Sequence, residues 1–145
     1  MDDAMLYARV HEETKSKQIL QEHLDNVAKL AEDFCGVFDS HKWGELLGEV
    51  HDIGKAKKKF QEKLLENHNI RVDHSGAGAV LLAEHFKDAG GIGYFLAFAA
   101  AGHHSGLPNH AHLKERLTEN RENLYEIGHF VEMLRDFDYG KFILP

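Results

Sequence analysis

The most informative segment of the sequence is His51-Asp52-Ile53-Gly54-Lys55. Neutral imidazole and ionised carboxylate are both metal ligands, and together they suit divalent transition metals. On a helix, Lys55 lies three residues past Asp52 and four past His51, so it shares their face. Because a histidine next to an aspartate also recurs by chance, the meaning of the pair depends on the sequence around it.

The segments on either side of this pair have helical patterning. Asp39-Ser40 can cap the helix that leads to His51, and the almost wholly apolar run from Ile92 to Ala101 predicts a buried central helix. Gly76 and Gly78, inside another helical pattern, predict a tight contact with a neighbouring backbone. No alternating pattern of strand type appears, so the sequence predicts an all-α fold, a compact helical bundle. The predicted helices cover residues 18–34, 40–51, 60–65, 74–86, 92–101 and 110–134.

Length and composition limit the class of protein. The 145 residues, 43% hydrophobic and 28% charged, suit one folded domain. No apolar run reaches the length of a membrane span. The acidic start and the single Cys35 favour the cytoplasm. The net charge of −7 argues against a broad basic surface for duplex nucleic acid.

Twelve histidines are many for a chain of this length. His23 borders an apolar helical face, His74 starts a helix, and His103-His104 follow the central helix. Each of these alone is more often a core, capping or solvent-exposed residue. Together with His51-Asp52 they come from four helices, and a helical bundle holds metal with inward side chains from several helices.

One carboxylate and five histidines exceed what a single tetrahedral ion needs. The set therefore predicts a metal site between helices for one or two ions, with Asp52 bridging two ions if both are present. Histidine-rich ligation favours manganese, nickel, cobalt or iron over magnesium. Such ions lower the pKa of bound water toward neutrality, and Lys55 on the same face can stabilise charge in the transition state.

Other polar and aromatic residues have simpler interpretations. Residues 57–59, all lysine, are expected to form a solvated basic face. Trp43, Phe95 and Phe98 are expected in the core because they lie within apolar helical patterns. The remaining histidines are expected at the surface: His11, His41, His68, His85, His110, His112 and His129.

The order of these motifs resembles the HD superfamily of metal-dependent phosphohydrolases, and more narrowly the HD nuclease domain of the CRISPR-associated helicase-nuclease of type I systems. The resemblance covers roughly residues 18 to 110. It rests on four segments: residues 21–27 around His23, residues 48–61 around His51-Asp52, Asp73-His74-Ser75-Gly76-Ala77-Gly78-Ala79, and Ala101-Gly102-His103-His104-Ser105-Gly106-Leu107-Pro108.

The resemblance implies a role for each site residue. His23, His51 and Asp52 would hold one ion, and Asp52, His74, His103 and His104 would hold the second. Asp52 and Lys55 would act in catalysis. The implied substrate is single-stranded DNA, and the implied partners are a helicase domain or subunit and the CRISPR surveillance complex.

The sequence departs from the family pattern in two places. Residues 7–11 read Tyr-Ala-Arg-Val-His where the family has Ala-His-Ser. The family also has a late aspartate ligand, and the late aspartates here, Asp136 and Asp138, do not have its setting. We therefore expect residues 1–145 to be one HD nuclease domain, a fragment that lacks the last helices of the family domain.

Three functions are compatible with these observations. The first is a metal-dependent nuclease for single-stranded DNA in CRISPR interference. The second is an HD phosphohydrolase acting on nucleotides or small phosphoesters, which would need a base or phosphate pocket that no motif indicates. The third is a non-catalytic helical module with an incomplete site; the complete histidine set argues against it and the missing aspartate argues for it.

Overall fold

The computed structural model describes residues 5–66, 68–104, 106–121 and 124–128. Within these ranges the fold is all-α, as predicted, with a small two-stranded sheet at the start. Predicted helix positions downstream of residue 121 lie mostly outside the described residues, as do Asp136, Asp138 and His129. The helices are α1 (Leu20–Gly36), α2 (His41–Val50), α3 (Lys58–Glu66), α4 (Ser75–His85), α5 (Ile92–Gly102) and α6 (His110–Arg121).

The expectation that the chain has no strands is wrong for its first part. Strands β1 (Tyr7–Val10) and β2 (Lys17–Ile19) pair antiparallel. Ala8 is the buried residue of this hairpin, so the alternation is too short to be recognised in the sequence. Gln61 joins the hairpin to α3: it donates to the carbonyl of Tyr7 and accepts from the amide of Tyr7.

Small residues let the central helices approach closely. A side chain at Gly48 of α2 would meet the backbone of Ala28 in α1, and one at Gly78 of α4 would meet the carbonyl of Val50. The tight backbone contact predicted for Gly78 is therefore confirmed. The close packing brings the end of α2 next to α1 and α4, the two helices that carry or adjoin His23 and His74.

The central helix α5 is buried on one face only. Leu96, Ala97, Ala100 and Ala101 lie in the core, whereas Phe95 is 76% exposed. The prediction of a core position for Phe95 is therefore wrong, although Trp43 and Phe98 do pack against the core. None of the described helices is long and apolar enough to cross a membrane.

Two 3₁₀ turns complete the described structure. The first, Ile53–Ala56, follows the His51-Asp52 pair and carries Lys55. The second, Leu124–Ile127, follows α6. Asp52 immediately precedes the first turn and is only 3% exposed.

Candidate metal centre

Asp52 is the centre of a cluster of polar side chains drawn from four parts of the fold. His23 lies on α1, His51 follows α2, His74 precedes α4, and His103 and His104 follow α5. All five histidines have an Nε2 atom within 4.0 Å of the Asp52 carboxylate. The structure thus brings together every site residue predicted from the sequence.

One oxygen of Asp52 faces the first histidine group. Oδ2 lies 2.9 Å from His23 Nε2 and 3.3 Å from His51 Nε2. Lys55 donates to the same oxygen over 2.7 Å. The ligand atoms of His23, His51 and Asp52 are close enough to one another to hold a metal ion.

The other oxygen faces the second group. Oδ1 lies 3.1 Å from His103 Nε2, 3.5 Å from His74 Nε2 and 3.7 Å from His104 Nε2. These four residues form a second set that could hold an ion. Each carboxylate oxygen therefore faces its own histidine group, which is the arrangement that a carboxylate between two ions requires.

Backbone carbonyls fix the orientation of three of the imidazoles. His51 Nδ1 donates to the carbonyl of Gly48 over 2.6 Å, and His103 Nδ1 donates to that of Ala100 over 2.7 Å. His74 Nδ1 donates to Val72 over 3.3 Å. A histidine that donates through Nδ1 keeps a lone pair on Nε2 when it is neutral, which is the usual arrangement of a metal-binding histidine.

The local electrostatics favour an ionised carboxylate. Burial alone would raise the pKa of Asp52, but hydrogen bonds from His103, His51 and Lys55 hold it well below its usual range. Burial lowers the pKa of His23 and His74 in spite of the nearby carboxylate. An anionic carboxylate and neutral imidazoles are the protonation states in which these groups bind metal.

The pKa of His103 is shifted in the opposite direction. Burial would lower its pKa, but the hydrogen bonds to Asp52 and to the carbonyl of Ala100 raise it. The pKa of His103 is therefore raised, whereas those of His23 and His74 are lowered. Binding of an ion at Nε2 of His103 would displace the proton that the charged imidazole carries there.

The donor set fits divalent transition metals. It consists of imidazole nitrogens and one carboxylate, whereas magnesium prefers oxygen ligands. The residues that could hold ions are His23, His51 and Asp52 in one half, and Asp52, His74, His103 and His104 in the other.

A second polar cluster, which we call the Asp73 network, contacts the chain segments beside the second histidine group. Arg116 on α6 donates to both carboxylate oxygens of Asp73 over 3.1 and 3.3 Å, to the Ser75 hydroxyl, and to the carbonyl of Ala101. Asn120 donates to Asp73 and accepts from Lys57. The members of the network are Lys57, Asp73, Ser75, Arg116 and Asn120.

The Asp73 network ties together the two chain segments that carry the second histidine group. Asp73 and Ser75 flank His74, and Ala101 lies two residues before His103. Burial would raise the pKa of Asp73, but Arg116 and the hydrogen bonds to Gly76 and Asn120 lower it to about 2. Sequence reasoning missed this network; the available signal was Asp73 just before a helix, since its carboxylate accepts from the Ser75 and Gly76 amides as a cap does.

The expectation for Lys57 is wrong. It was expected on a solvated basic face with the two lysines that follow it, yet it is only 7% exposed and donates to Asn120 over 2.9 Å. Burial lowers its pKa despite Asp73 and Glu126. Lys58 and Lys59 are exposed, as expected.

The remaining histidines lie away from the centre. His11, His41, His68, His85, His110 and His112 are all exposed, as predicted. The histidines that the structure describes thus divide into a cluster around Asp52 and a scattered surface set. That division supports a specific role for the cluster over a general excess of histidine.

The helical bundle with a His-Asp cluster between its helices is consistent with an HD-type all-α fold. The family described as "Cas3, HD domain" matches residues 1–137. The chain therefore belongs to the Cas3 HD-domain family, the CRISPR-associated HD nuclease domains. The comparison with curated proteins found no match.

Proposed function

We propose that this domain hydrolyses the phosphodiester bonds of single-stranded DNA in CRISPR interference, using divalent transition-metal ions. The observation that carries the proposal is the position of the two carboxylate oxygens of Asp52. Its two oxygens face separate histidine groups at 2.9 to 3.7 Å. Centres with two ions are common among enzymes that cleave phosphodiesters.

In this proposal His23, His51 and Asp52 hold one ion, and Asp52, His74, His103 and His104 hold the other. Manganese, nickel, cobalt and iron suit these ligands better than magnesium. The bound ions would supply Lewis acidity and an activated water. The chain itself supplies fixed imidazole orientations, a recessed carboxylate and a cation beside it.

That cation is Lys55. Its side chain is 14% exposed, and its Nζ lies 2.7 Å from Asp52 Oδ2. With Asp52 engaged as a metal ligand, the Lys55 ammonium group would be able to donate to a phosphate oxygen beside it. A positive group held there stabilises the charge that develops on the phosphate or on the leaving oxygen.

Among the histidines of the centre, His104 is the most exposed. The Asp52 carboxylate is 5% exposed, whereas the side chain of His104 is 53% exposed. A substrate phosphate therefore approaches past His104 toward Asp52. A single strand suits such a recessed centre, because its backbone bends and can present one phosphate at a time.

The family also implies partners. Members act on nucleic acid with a helicase and a CRISPR complex, and we propose the same association for this chain. The negative net charge of −7 fits this proposal, because a domain without a broad basic surface gains from a partner that delivers the strand.

The test is hydrolysis by the purified chain loaded with manganese or nickel. Single-stranded DNA, duplex DNA, single-stranded RNA and a panel of nucleotides are offered as substrates. We expect cleavage of single-stranded DNA that is lost in Asp52→Ala and kept in Asp33→Ala, an exposed carboxylate on α1. Hydrolysis of nucleotides alone would replace the proposal with a small-molecule phosphohydrolase, and equal cleavage by Asp52→Ala would refute the site.

A further inference from the structure

A groove of about 520 Å³ adjoins the second histidine group. His74 and His104 belong both to its wall and to the candidate metal centre. Three cationic side chains also line it: Lys63 from α3, Arg71 from the segment before α4, and Arg116 from α6. A substrate that lies in the groove is therefore in contact with the centre.

The charge of the groove differs from that of the whole chain. The net charge of the chain is −7, yet the groove has three cations against one carboxylate among its described lining residues, Asp73. Arg116 is already bound to that carboxylate. Lys63 and Arg71 form no ion pair with any other residue that the structure describes. Their two positive charges are therefore available to an anionic ligand.

We propose that this groove binds the backbone phosphates of a single-stranded polynucleotide on one side of the scissile phosphate, with Lys63 and Arg71 as the phosphate contacts. The proposal rests on the proposed function, since it assigns the path of the same substrate. Arg116 supports the groove wall through Asp73, Ser75 and Ala101 and is not one of the contacts. Long cationic side chains at an exposed site are the usual ligands of nucleic-acid phosphates.

The experiment measures binding, so that it does not depend on catalysis. A fluorescein-labelled oligothymidylate is titrated with the full chain in EDTA, and anisotropy gives the dissociation constant over a range of salt. The test variant is Lys63→Glu with Arg71→Glu. The matched control is Lys87→Glu with Lys114→Glu, which makes the same change of charge at two exposed lysines that do not line the groove.

We expect the test variant to bind at least about tenfold more weakly than the wild-type chain. Its logarithmic salt dependence should be shallower by about 1.4, the contribution of two phosphate contacts on a single strand. The control pair should change the dissociation constant by less than about threefold. Lys63→Gln with Arg71→Gln should lie between them, which guards against a folding defect caused by the reversed charges.

Two results would overturn the proposal: no measurable binding by the wild-type chain at low salt, or equal losses in the test and control pairs. A labelled oligouridylate tests whether the groove distinguishes RNA from DNA. Hydrolysis of bis(4-nitrophenyl) phosphate by the manganese-loaded wild-type chain is measured separately. Its absence would count against the proposed function and would leave the binding result standing, so the two failures are distinguishable.

Discussion

The Nε2 atoms of His74 and His104 lie 2.6 Å apart. Since His74 donates through Nδ1 to Val72, its neutral form presents a lone pair at Nε2. His104 therefore donates a proton across this short contact when no ion is bound. To serve as a ligand through Nε2, the neutral His104 would have to carry its proton on Nδ1 instead, so metal binding at this half of the centre would require a change of tautomer at His104.

Substitution of His104 is expected to weaken one metal site selectively. His104→Ala removes a ligand from the group around Asp52 Oδ1, whereas His23→Ala removes one from the group around Oδ2. We expect each substitution to reduce manganese affinity at its own site by at least about 10- to 100-fold. Calorimetric titration with manganese resolves the two sites, and identical titrations of the two variants would show that the halves are not separate.

The sequence predicted the members of the centre better than their surroundings. His23, His51-Asp52, His74 and His103-His104 each stand where a helical pattern meets a polar break, and such breaks can be read from spacing. Their convergence on Asp52 depends on how α1, α2, α4 and α5 pack, which spacing alone does not give. The prediction of a shared site rested on the general tendency of helical bundles to hold metal with inward side chains, and the resemblance to a known family then divided the residues between two ions.

The Asp73 network shows why the rest could not be predicted. Arg116 lies within a helical pattern that has no unusual feature, and its partners Asp73 and Ala101 are distant in sequence. Lys57 is one of three consecutive lysines, yet it is buried and donates to Asn120 on α6 and to the carbonyl of Asp73. These hydrogen bonds join segments that are distant in sequence, and the local sequence pattern of each segment does not indicate its partner.

Loss of Arg116 is expected to disturb the second histidine group. Arg116→Ala leaves the carbonyl of Ala101 and the carboxylate of Asp73 without their guanidinium partner, which should cost about 1–3 kcal/mol in the free energy of unfolding. Manganese affinity at the His74–His104 half should fall as well, because both flanking segments lose an anchor.

The matched control is Arg121→Ala, on the same helix. Arg121 pairs with Glu84 at the surface, with its side chain 62% exposed, and such pairs contribute about 0–1 kcal/mol. Urea unfolding and manganese titration of both variants provide the comparison. Equal stability and equal metal affinity in the two variants would contradict a positioning role for Arg116.

A methyl group at Gly54 is expected to move the 3₁₀ turn that carries Lys55 away from His74. The added Cβ would meet the backbone of His74, including its carbonyl oxygen, so the 3₁₀ turn that carries Lys55 would have to move away from α4. Overpacking of this kind costs about 1–3 kcal/mol. Gly54→Ala should therefore lower both the unfolding free energy and the metal affinity.

Gly128→Ala serves as the control for this glycine substitution. A Cβ there would meet none of the described residues within 4 Å, so the change in unfolding free energy should stay within about 0.5 kcal/mol. Denaturant titrations of the two variants in EDTA separate the packing effect from metal binding. A Gly54→Ala variant as stable as Gly128→Ala would show that the turn can shift without cost.

Glu49 is expected to make stability depend on pH near neutrality. Burial, together with Asp25 and Glu45, raises its pKa from 4.5 to about 7. The folded state therefore holds a proton that the unfolded state releases between these two values. The contribution to stability is complete below about pH 4.5 and is lost as the pH rises through 7. At pH 8 the folded chain must carry the buried charge.

Glu49→Gln removes that charge with little change in shape. In EDTA it should be more stable than the wild-type chain by on the order of 2 kcal/mol at pH 8, and the difference should vanish below about pH 5. Urea unfolding at pH 5, 6, 7 and 8 measures it, with Glu13→Gln at an exposed position as the control. If the pKa of Glu49 is raised, the stabilities of Glu49→Gln and the wild-type chain must diverge only as the Glu49 carboxyl group ionises. A difference that does not depend on pH would therefore mean that the pKa of Glu49 is not raised.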